Sequence, residues 1–169
     1  SKHTSKFDLI HVDSTNVEYR YGKTENWADV IVAPILQPLS SAAAYVVSPS
    51  GAKKLAAVAR RGFCDHVDDF LTRPDKNYCA FQLLPALAIQ GMFANPDHVP
   101  KEIRASERTS IPALNQSISK GPNAYRITKE IRRSLRRLLR KSVLDKQLIK
   151  LGGSVGITQL AEDLPSYLD

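Results

Sequence analysis

The chain has 169 residues, of which 43% are hydrophobic, enough for the core of about one domain. No apolar run reaches the roughly 18 residues that a membrane-spanning helix needs, and the first residues are polar, unlike a signal peptide. The two cysteines, Cys64 and Cys79, form no Cys-x-x-Cys pair, and the four histidines are scattered. The composition therefore favours free thiols in a reducing, cytoplasmic compartment and gives no support to a structural zinc site.

The net charge of +7 is unevenly distributed. Residues 1–100 contain ten Lys or Arg and ten Asp or Glu, whereas residues 101–169 contain fourteen and seven. All of the excess positive charge lies in the second segment. This pattern predicts a neutral domain with a basic appendage.

Three strands are predicted in the first third of the chain. The most regular is a short apolar run at 42–47, which is typical of a buried strand. Residues 14–29 are polar and rich in turn-forming residues, so we expect a loop or a short irregular hairpin there. The other two strand candidates are residues 7–12 and 30–32.

A helix is predicted to begin directly after the strand at 42–47. Ser48 can cap it, Pro49 suits its first turn, and Gly62 suits its end, which predicts a helix over 49–61. Further along, residues 67–72 predict a short helical turn. Residues 78–89 predict a strand or strand pair that is interrupted at Pro85.

The remainder of the chain is predicted to be less compact. Residues 94–123 contain four prolines and many polar residues, typical of extended structure, and residues 124–144 predict a strong helix. After Gly152-Gly153 we expect a short helix ending near Leu164. The resulting division is a core over 1–95, an extended Pro-rich connection over 96–123 and a basic helical tail over 124–169. The alternation of strands and helices favours the α/β class.

Two segments carry a resemblance to a known family. Residues 44–55 read Ala-Tyr-Val-Val-Ser-Pro-Ser-Gly-Ala-Lys-Lys-Leu, and residues 66–71 read His-Val-Asp-Asp-Phe-Leu. They are similar to the corresponding segments of glycosyltransferase family 25, which includes lipooligosaccharide and collagen galactosyltransferases; His66 stands where that family usually has proline. Weaker similarities lie at 7–10 and 84–90.

The resemblance implies the C-terminal half of a GT-A-like nucleotide-diphospho-sugar transferase. The basic amphipathic helix expected at the C-terminal end of the chain is predicted from its own residues. Such an enzyme transfers a hexose, often galactose, from a UDP-sugar to a saccharide acceptor with inversion, as in lipopolysaccharide biosynthesis. It also implies a divalent cation, Mn²⁺ or Mg²⁺, held mainly by an acidic Glu-Asp-Asp or Asp-x-Asp motif. No such motif occurs in this chain, so the main ligands are expected upstream and this chain alone is expected to be inactive.

The same resemblance assigns the candidate site. Asp68 matches the family's aspartate and is the expected base or acceptor-orienting residue, with Asp69 beside it as a second catalytic or metal-shell carboxylate. Asp65 and His66 are candidates for the metal shell, although imidazole suits softer ions. The structural alternative is that these carboxylates cap a short helix and favour its dipole.

Three further residues are candidate substrate contacts, each with a structural alternative. Tyr45 could instead be a core aromatic, Ser48 a helix cap, and Gln90 an edge residue facing solvent.

The basic segment after residue 124 leaves three interpretations open. Ile127, Ile131, Leu135, Leu138 and Leu139 fall on one apolar stripe of a helix. The helix could dock this stripe on the domain, or it could attach to an anionic membrane surface such as the inner membrane. Nucleic-acid binding is weaker, because no aromatic residues interleave with the basic ones. A non-catalytic adaptor module that uses this helix on membrane or RNA is therefore the alternative function. The candidate anion-binding residues are Arg132, Arg133, Arg136, Arg137 and Arg140.

Overall fold

A computed structural model describes residues 7–61, 67–72, 77–91, 93–95, 97, 99–101 and 143–167. Within these ranges the chain is a mixed α/β fold, which confirms the predicted class at that level. The predicted helix over 124–144 lies almost entirely outside the described residues. The described strands are β1 (Leu9–His11), β2 (Asp13–Ser14), β3 (Tyr19–Tyr21), β4 (Glu25–Trp27), β5 (Val30–Pro34), β6 (Tyr45–Val47), β7 (Ala80–Leu84), β8 (Ala88–Ile89) and β9 (Ser154–Gly156); the described helices are α1 (Pro49–Ala59), α2 (Val67–Thr72) and α3 (Asp145–Lys150).

Five of the described strands form the main sheet, in the order β4-β5-β7-β1-β6. The central pair, β1 and β7, is parallel, with Leu9 opposite Ala80, and the outer pairs are antiparallel. Two small ladders flank this sheet, one between β2 and β8 and one between β3 and β9. The sheet is therefore mixed, and β1 and β7 form its buried centre.

Strand alternation gives the sheet two apolar faces. Leu9 and Ala80 belong to the larger buried cluster, which also takes in Leu71 of α2. On the other face Trp27, Val32 and Phe81 form a second cluster, in which the rings of Trp27 and Phe81 lie 4.7 Å apart.

The predicted strand-to-helix unit at 42–61 is present, but the strand differs from the prediction. β6 has three residues, and the side chains of Tyr45, Val46 and Val47 are 41%, 52% and 37% exposed. The strand is exposed because it is the edge of the sheet, with only β1 beside it among the described strands. The prediction of a buried strand was wrong, since an apolar run alone does not distinguish a central strand from an edge strand.

The helix after β6 begins as predicted. The Ser48 hydroxyl accepts a hydrogen bond from the Gly51 amide at 3.0 Å, and Pro49 occupies the first turn. Gly51 is buried against β1, where an added Cβ would overlap the carbonyl group of Asp8. The Ser48 amide also donates to that carbonyl, at 2.9 Å. Glycine at 51 therefore allows α1 to start directly against β1.

Residues 143–167 pack against this core. β9 forms where a short helix was expected, and it pairs with β3, which lies within the segment 14–29 that was predicted as a loop or a short irregular hairpin. The guanidinium of Arg20 donates two hydrogen bonds to the Asp145 carboxylate, at 2.6 and 2.7 Å, and so ties α3 to β3. The pairing of β3 with β9 was not predicted, because each strand has three residues and is stabilised by the other strand rather than by a local pattern.

Candidate functional site

The predicted acidic residues Asp68 and Asp69 lie in the first turn of α2, as expected for this short helix. The helix is anchored from its other end. The Thr72 hydroxyl donates to the Asp68 carbonyl at 2.9 Å and accepts from the Leu39 amide at 2.8 Å, while Leu71 is buried in the core. Asp68 and Asp69 are thereby held at the surface, half-buried, on a fixed turn.

Neither carboxylate is engaged with another described residue by a hydrogen bond or ion pair. Three other carboxylates in the described ranges, those of Asp8, Asp13 and Asp145, are each held by structural partners. Within the described part of the chain, Asp68 and Asp69 therefore have no hydrogen bond or ion pair that holds them in the fold. Some exposed carboxylates elsewhere in the described ranges also have none.

The remaining predicted metal and anion ligands cannot be placed. Asp65 and His66, and the five arginines between 132 and 140, lie outside the described residues. Among the described residues, no three His, Cys, Asp or Glu side chains gather into a potential metal site. None of the helices in the described ranges combines the length and apolar character that crossing a membrane requires.

The three predicted substrate contacts are dispersed. Tyr45 projects from the edge strand β6 and is not a core aromatic. Ser48 is buried, and its hydroxyl serves as the α1 cap while bonding to the Ser50 hydroxyl at 2.9 Å. Gln90 donates to the Ser41 hydroxyl at 2.6 Å, so it joins a buried network rather than the α2 carboxylates.

A first buried hydrogen-bond network surrounds Asp8, directly before β1. Its carboxylate accepts hydrogen bonds from Lys54 Nζ at 2.7 Å, from the Cys79 amide at 2.8 Å and from the Ser50 hydroxyl at 3.1 Å. Burial alone would raise the pKa of Asp8, but the bonds from Lys54 and Cys79 outweigh it and hold that pKa below its ordinary value. Asp8 thus joins β1, α1 and the start of β7.

A second network lies where β1 leads into β2. His11 and Asp13 are 2% and 0% exposed, and the His11 Nε2 atom lies 2.7 Å from Asp13 Oδ1. The Ser41 hydroxyl donates to the other Asp13 oxygen. The Gln82 side chain completes the network from the middle of β7, with its Oε1 atom 2.9 Å from His11 Nδ1.

The hydrogen-bond partners determine the protonation state of His11. Gln82 Nε2 donates to two backbone carbonyls, those of Asp13 and Leu83, at 3.1 Å each, so its oxygen must face the imidazole. The Nδ1 atom must therefore carry a proton. The Nε2 atom faces two acceptors, the Ser41 carbonyl at 3.0 Å and the Asp13 carboxylate, and must carry one as well.

His11 is accordingly an imidazolium ion inside the fold. Burial would lower its pKa, but the hydrogen bond and charge of Asp13 raise it above the ordinary 6.5. The pKa of Asp13 is in turn lowered, because the His11 and Ser41 bonds outweigh its burial.

The grouping of serine, histidine and aspartate does not form a hydrolase triad. In a triad the histidine accepts the serine proton, whereas here Ser41 donates to Asp13 and both His11 nitrogens are donors. Ser41 is also 1% exposed. The network therefore has a structural role: it joins β1, β2 and β7 to Ser41, which lies in the connection before β6.

The sequence carries a signal for this network. His11 and Asp13 are two residues apart after Leu9, so in a strand they share its buried face. Gln82 likewise lies in the middle of an apolar strand. Polar residues at such positions require partners inside the fold.

Comparisons with protein-family models, with curated proteins and with solved structures give no match to this chain.

Proposed function

We propose that this chain is part of a GT-A-like glycosyltransferase that moves a hexose, by resemblance galactose, from a UDP-sugar to a saccharide acceptor with inversion. The observation that carries the proposal is the family-like segment at 44–55 followed by Asp68 and Asp69 on a fixed helical turn. Among the described residues, neither of these two carboxylates has a partner in a hydrogen bond or an ion pair.

In this proposal Asp68 removes the proton from the acceptor hydroxyl as that oxygen attacks the anomeric carbon. A half-buried carboxylate that no described cation engages suits this role, because its oxygens remain available as acceptors. Asp69 orients the acceptor from the adjacent position.

The proposal also requires a group that offsets the charge developing on the departing UDP. A divalent cation, Mn²⁺ or Mg²⁺, supplies that chemistry when bound. The described residues do not form its site, so its main ligands would come from outside them. The buried carboxylates of Asp8 and Asp13 are already held by structural partners.

The test is ligand binding followed by transfer. UDP-galactose, UDP-glucose and UDP-N-acetylglucosamine, each with Mn²⁺, are compared by thermal shift on residues 1–169 and on the protein carrying the sequence encoded upstream of Ser1. A ligand that binds only the native state raises the apparent melting temperature. We expect a shift and sugar transfer from the longer protein alone. No shift and no transfer with any UDP-sugar in either form would overturn the proposal.

A second candidate is a cytoplasmic adaptor that binds anionic membrane through the basic segment. The observation that favours it is the confinement of all excess charge to residues 101–169. Peripheral attachment to the inner membrane is also compatible with the transferase, for which it would bring the enzyme to a lipid-linked acceptor. Vesicle binding without any nucleotide-sugar binding would favour the adaptor.

A further inference from the structure

An open cleft of about 240 Å³ lies between β9 and the end of β7. Leu84 and Pro85 line it at the end of β7, and Tyr21 of β3 contributes to its lining. This cleft contains none of the residues assigned to the proposed transferase site. Its described lining residues are Tyr21, Leu84, Pro85, Ser154, Val155, Gly156, Ile157, Thr158 and Gln159.

The β9 side of the cleft presents unused backbone groups. The Arg20 carbonyl accepts from the Leu36 amide at 3.2 Å, so the backbone of Arg20 faces away from β9. In an antiparallel pair the bonded and non-bonded positions alternate, which makes Arg20 and Val155 a non-bonded pair. The N–H and C=O of Val155 consequently point away from β3. No hydrogen bond joins either group to another described residue.

The chemistry of the lining favours an uncharged ligand. None of the described lining residues is charged, and Leu84, Pro85 and the 48% exposed Ile157 supply apolar surface. A saccharide is disfavoured because Tyr21 is only 4% exposed and its hydroxyl bonds to Thr158 at 2.7 Å, so no aromatic face is free for a sugar ring. A free strand edge beside an apolar cleft is how proteins bind an extended peptide.

We propose that this cleft binds a short, uncharged peptide segment in extended conformation. The segment adds a strand to the outer edge of β9, exchanges hydrogen bonds with the backbone of Val155, and places one aliphatic side chain between Ile157 and Leu84. Its partner is therefore a polypeptide, and the inference does not depend on the transferase proposal.

The direct test uses the full chain, labelled with ¹⁵N, and the blocked peptide acetyl-Ser-Val-Thr-Val-Ser-amide. We expect the Val155 amide resonance to shift on titration, with saturable binding. Two analogues carry an N-methyl group on the third or the fourth residue. Because successive amides of a strand point in opposite directions, one analogue should bind about tenfold more weakly and the other nearly normally.

Two variants locate the side-chain pocket. An added Cβ at Gly156 meets no atom within 4 Å, so Gly156→Val fills open space at the cleft without strain, and binding should weaken by about tenfold or more. Ile157→Asp places a charge in the same wall and should act similarly, which keeps the test decisive if one variant does not fold. Ala57→Leu, at an exposed position on α1, adds three carbons, as Gly156→Val does, and is the control that should bind normally.

Several outcomes would overturn the proposal. These are an unshifted Val155 resonance at millimolar peptide, equal binding by both N-methyl analogues, or undiminished binding by the folded variants. If lactose shifts the Val155 amide resonance and the peptide does not, the ligand of the cleft is a saccharide and the peptide proposal is wrong.

Discussion

The Gln82 side-chain amide holds His11 as an imidazolium, because its oxygen faces Nδ1 while its nitrogen donates to two backbone carbonyls. The ionic partner of His11, Asp13, lies two residues further along the same chain segment. Because of this buried charge pair, the fold should lose stability both when the pH rises and His11 loses its proton and when the pH falls and Asp13 gains one.

We predict that His11, Asp8 and Asp13 together contribute most to the free energy of unfolding between about pH 4 and 6.5. The pKa of His11 is raised, so its contribution is complete below the unfolded value near 6.5 and is lost as pH rises through the folded pKa. The pKa values of Asp8 and Asp13 are lowered, so their contribution is lost as pH falls below about 3.8. Urea unfolding from pH 3 to 9 measures this profile. A His11→Gln variant should be less stable and lose the alkaline decline; an unchanged alkaline decline would contradict the assignment.

The second prediction concerns the approach of α1 to β1. Gly51→Ala should destabilise the fold by about 1–3 kcal/mol, because the new methyl group overlaps the backbone of Asp8 and the helix must move. Gly156→Ala is the matched control, since its Cβ meets open space, and it should change stability by less than about 0.5 kcal/mol. Equal effects of the two substitutions in urea unfolding would show that the contact at Gly51 is unimportant.

The third prediction separates the two carboxylates near Arg20. Asp145→Asn should cost about 1–3 kcal/mol, because it weakens a paired, charge-assisted contact at a largely buried guanidinium. Glu18→Gln should cost less than about 0.5 kcal/mol, since that carboxylate is half exposed and lies 3.9 Å from Arg20. Chemical denaturation of both variants measures the two losses in the free energy of unfolding. A larger loss for Glu18→Gln would show that Glu18, and not Asp145, is the main partner of Arg20.

The fourth prediction addresses chemistry in an active form of the protein. Asp68→Asn should lower the transfer rate by about 100- to 10,000-fold with an unchanged melting temperature, as expected for the loss of a general base. Asparagine serves almost as well as aspartate at a helix start, so a purely structural role would leave activity intact. Glu162→Gln, at an exposed carboxylate, is the control. A variant retaining more than about a tenth of the wild-type rate would exclude Asp68 as the base.

The fifth prediction concerns the basic segment. The chain should bind anionic vesicles reversibly, with on the order of 1 kcal/mol from each basic residue near the surface, and binding should weaken as salt rises. The double variant Ile131→Ser, Leu135→Ser keeps every charge and should bind less. RNA binding would share the salt dependence but tolerate this double change. Co-sedimentation with anionic vesicles no better than with neutral ones would remove the membrane interpretation.

Local patterns in the sequence predicted the elements whose signals are local. The start of α1 follows from Ser48, Pro49 and the apolar spacing after them, and the interruption between β7 and β8 follows from Pro85. The α/β class follows from the same alternation. These features depend on capping and backbone preferences that a few neighbouring residues determine.

What could not be predicted depends on residues far apart in the chain. The exposure of β6 depends on which strand lies beside it, and β3 and β9 are recognisable only as a pair. The same holds for the candidate site. Gln90 pairs with Ser41 across 49 positions, which no spacing rule anticipates, whereas the helical turn bearing Asp68 and Asp69 was readable from local sequence.

The joining of residues near 20 to residues near 155 has a consequence for how the chain is made. The contacts of Arg20 with Asp145, Tyr21 with Thr158 and Ser14 with Tyr167 span 125, 137 and 153 positions. At roughly 5–20 residues per second, about 6 to 25 s of synthesis separate Arg20 from Asp145. Throughout that interval β9 has not been synthesised, so the backbone groups of β3 that pair with it can instead bind a chaperone or a non-native strand. Loss of residues 145–169, by a nonsense codon or a protease, would leave β3 permanently without its partner β9.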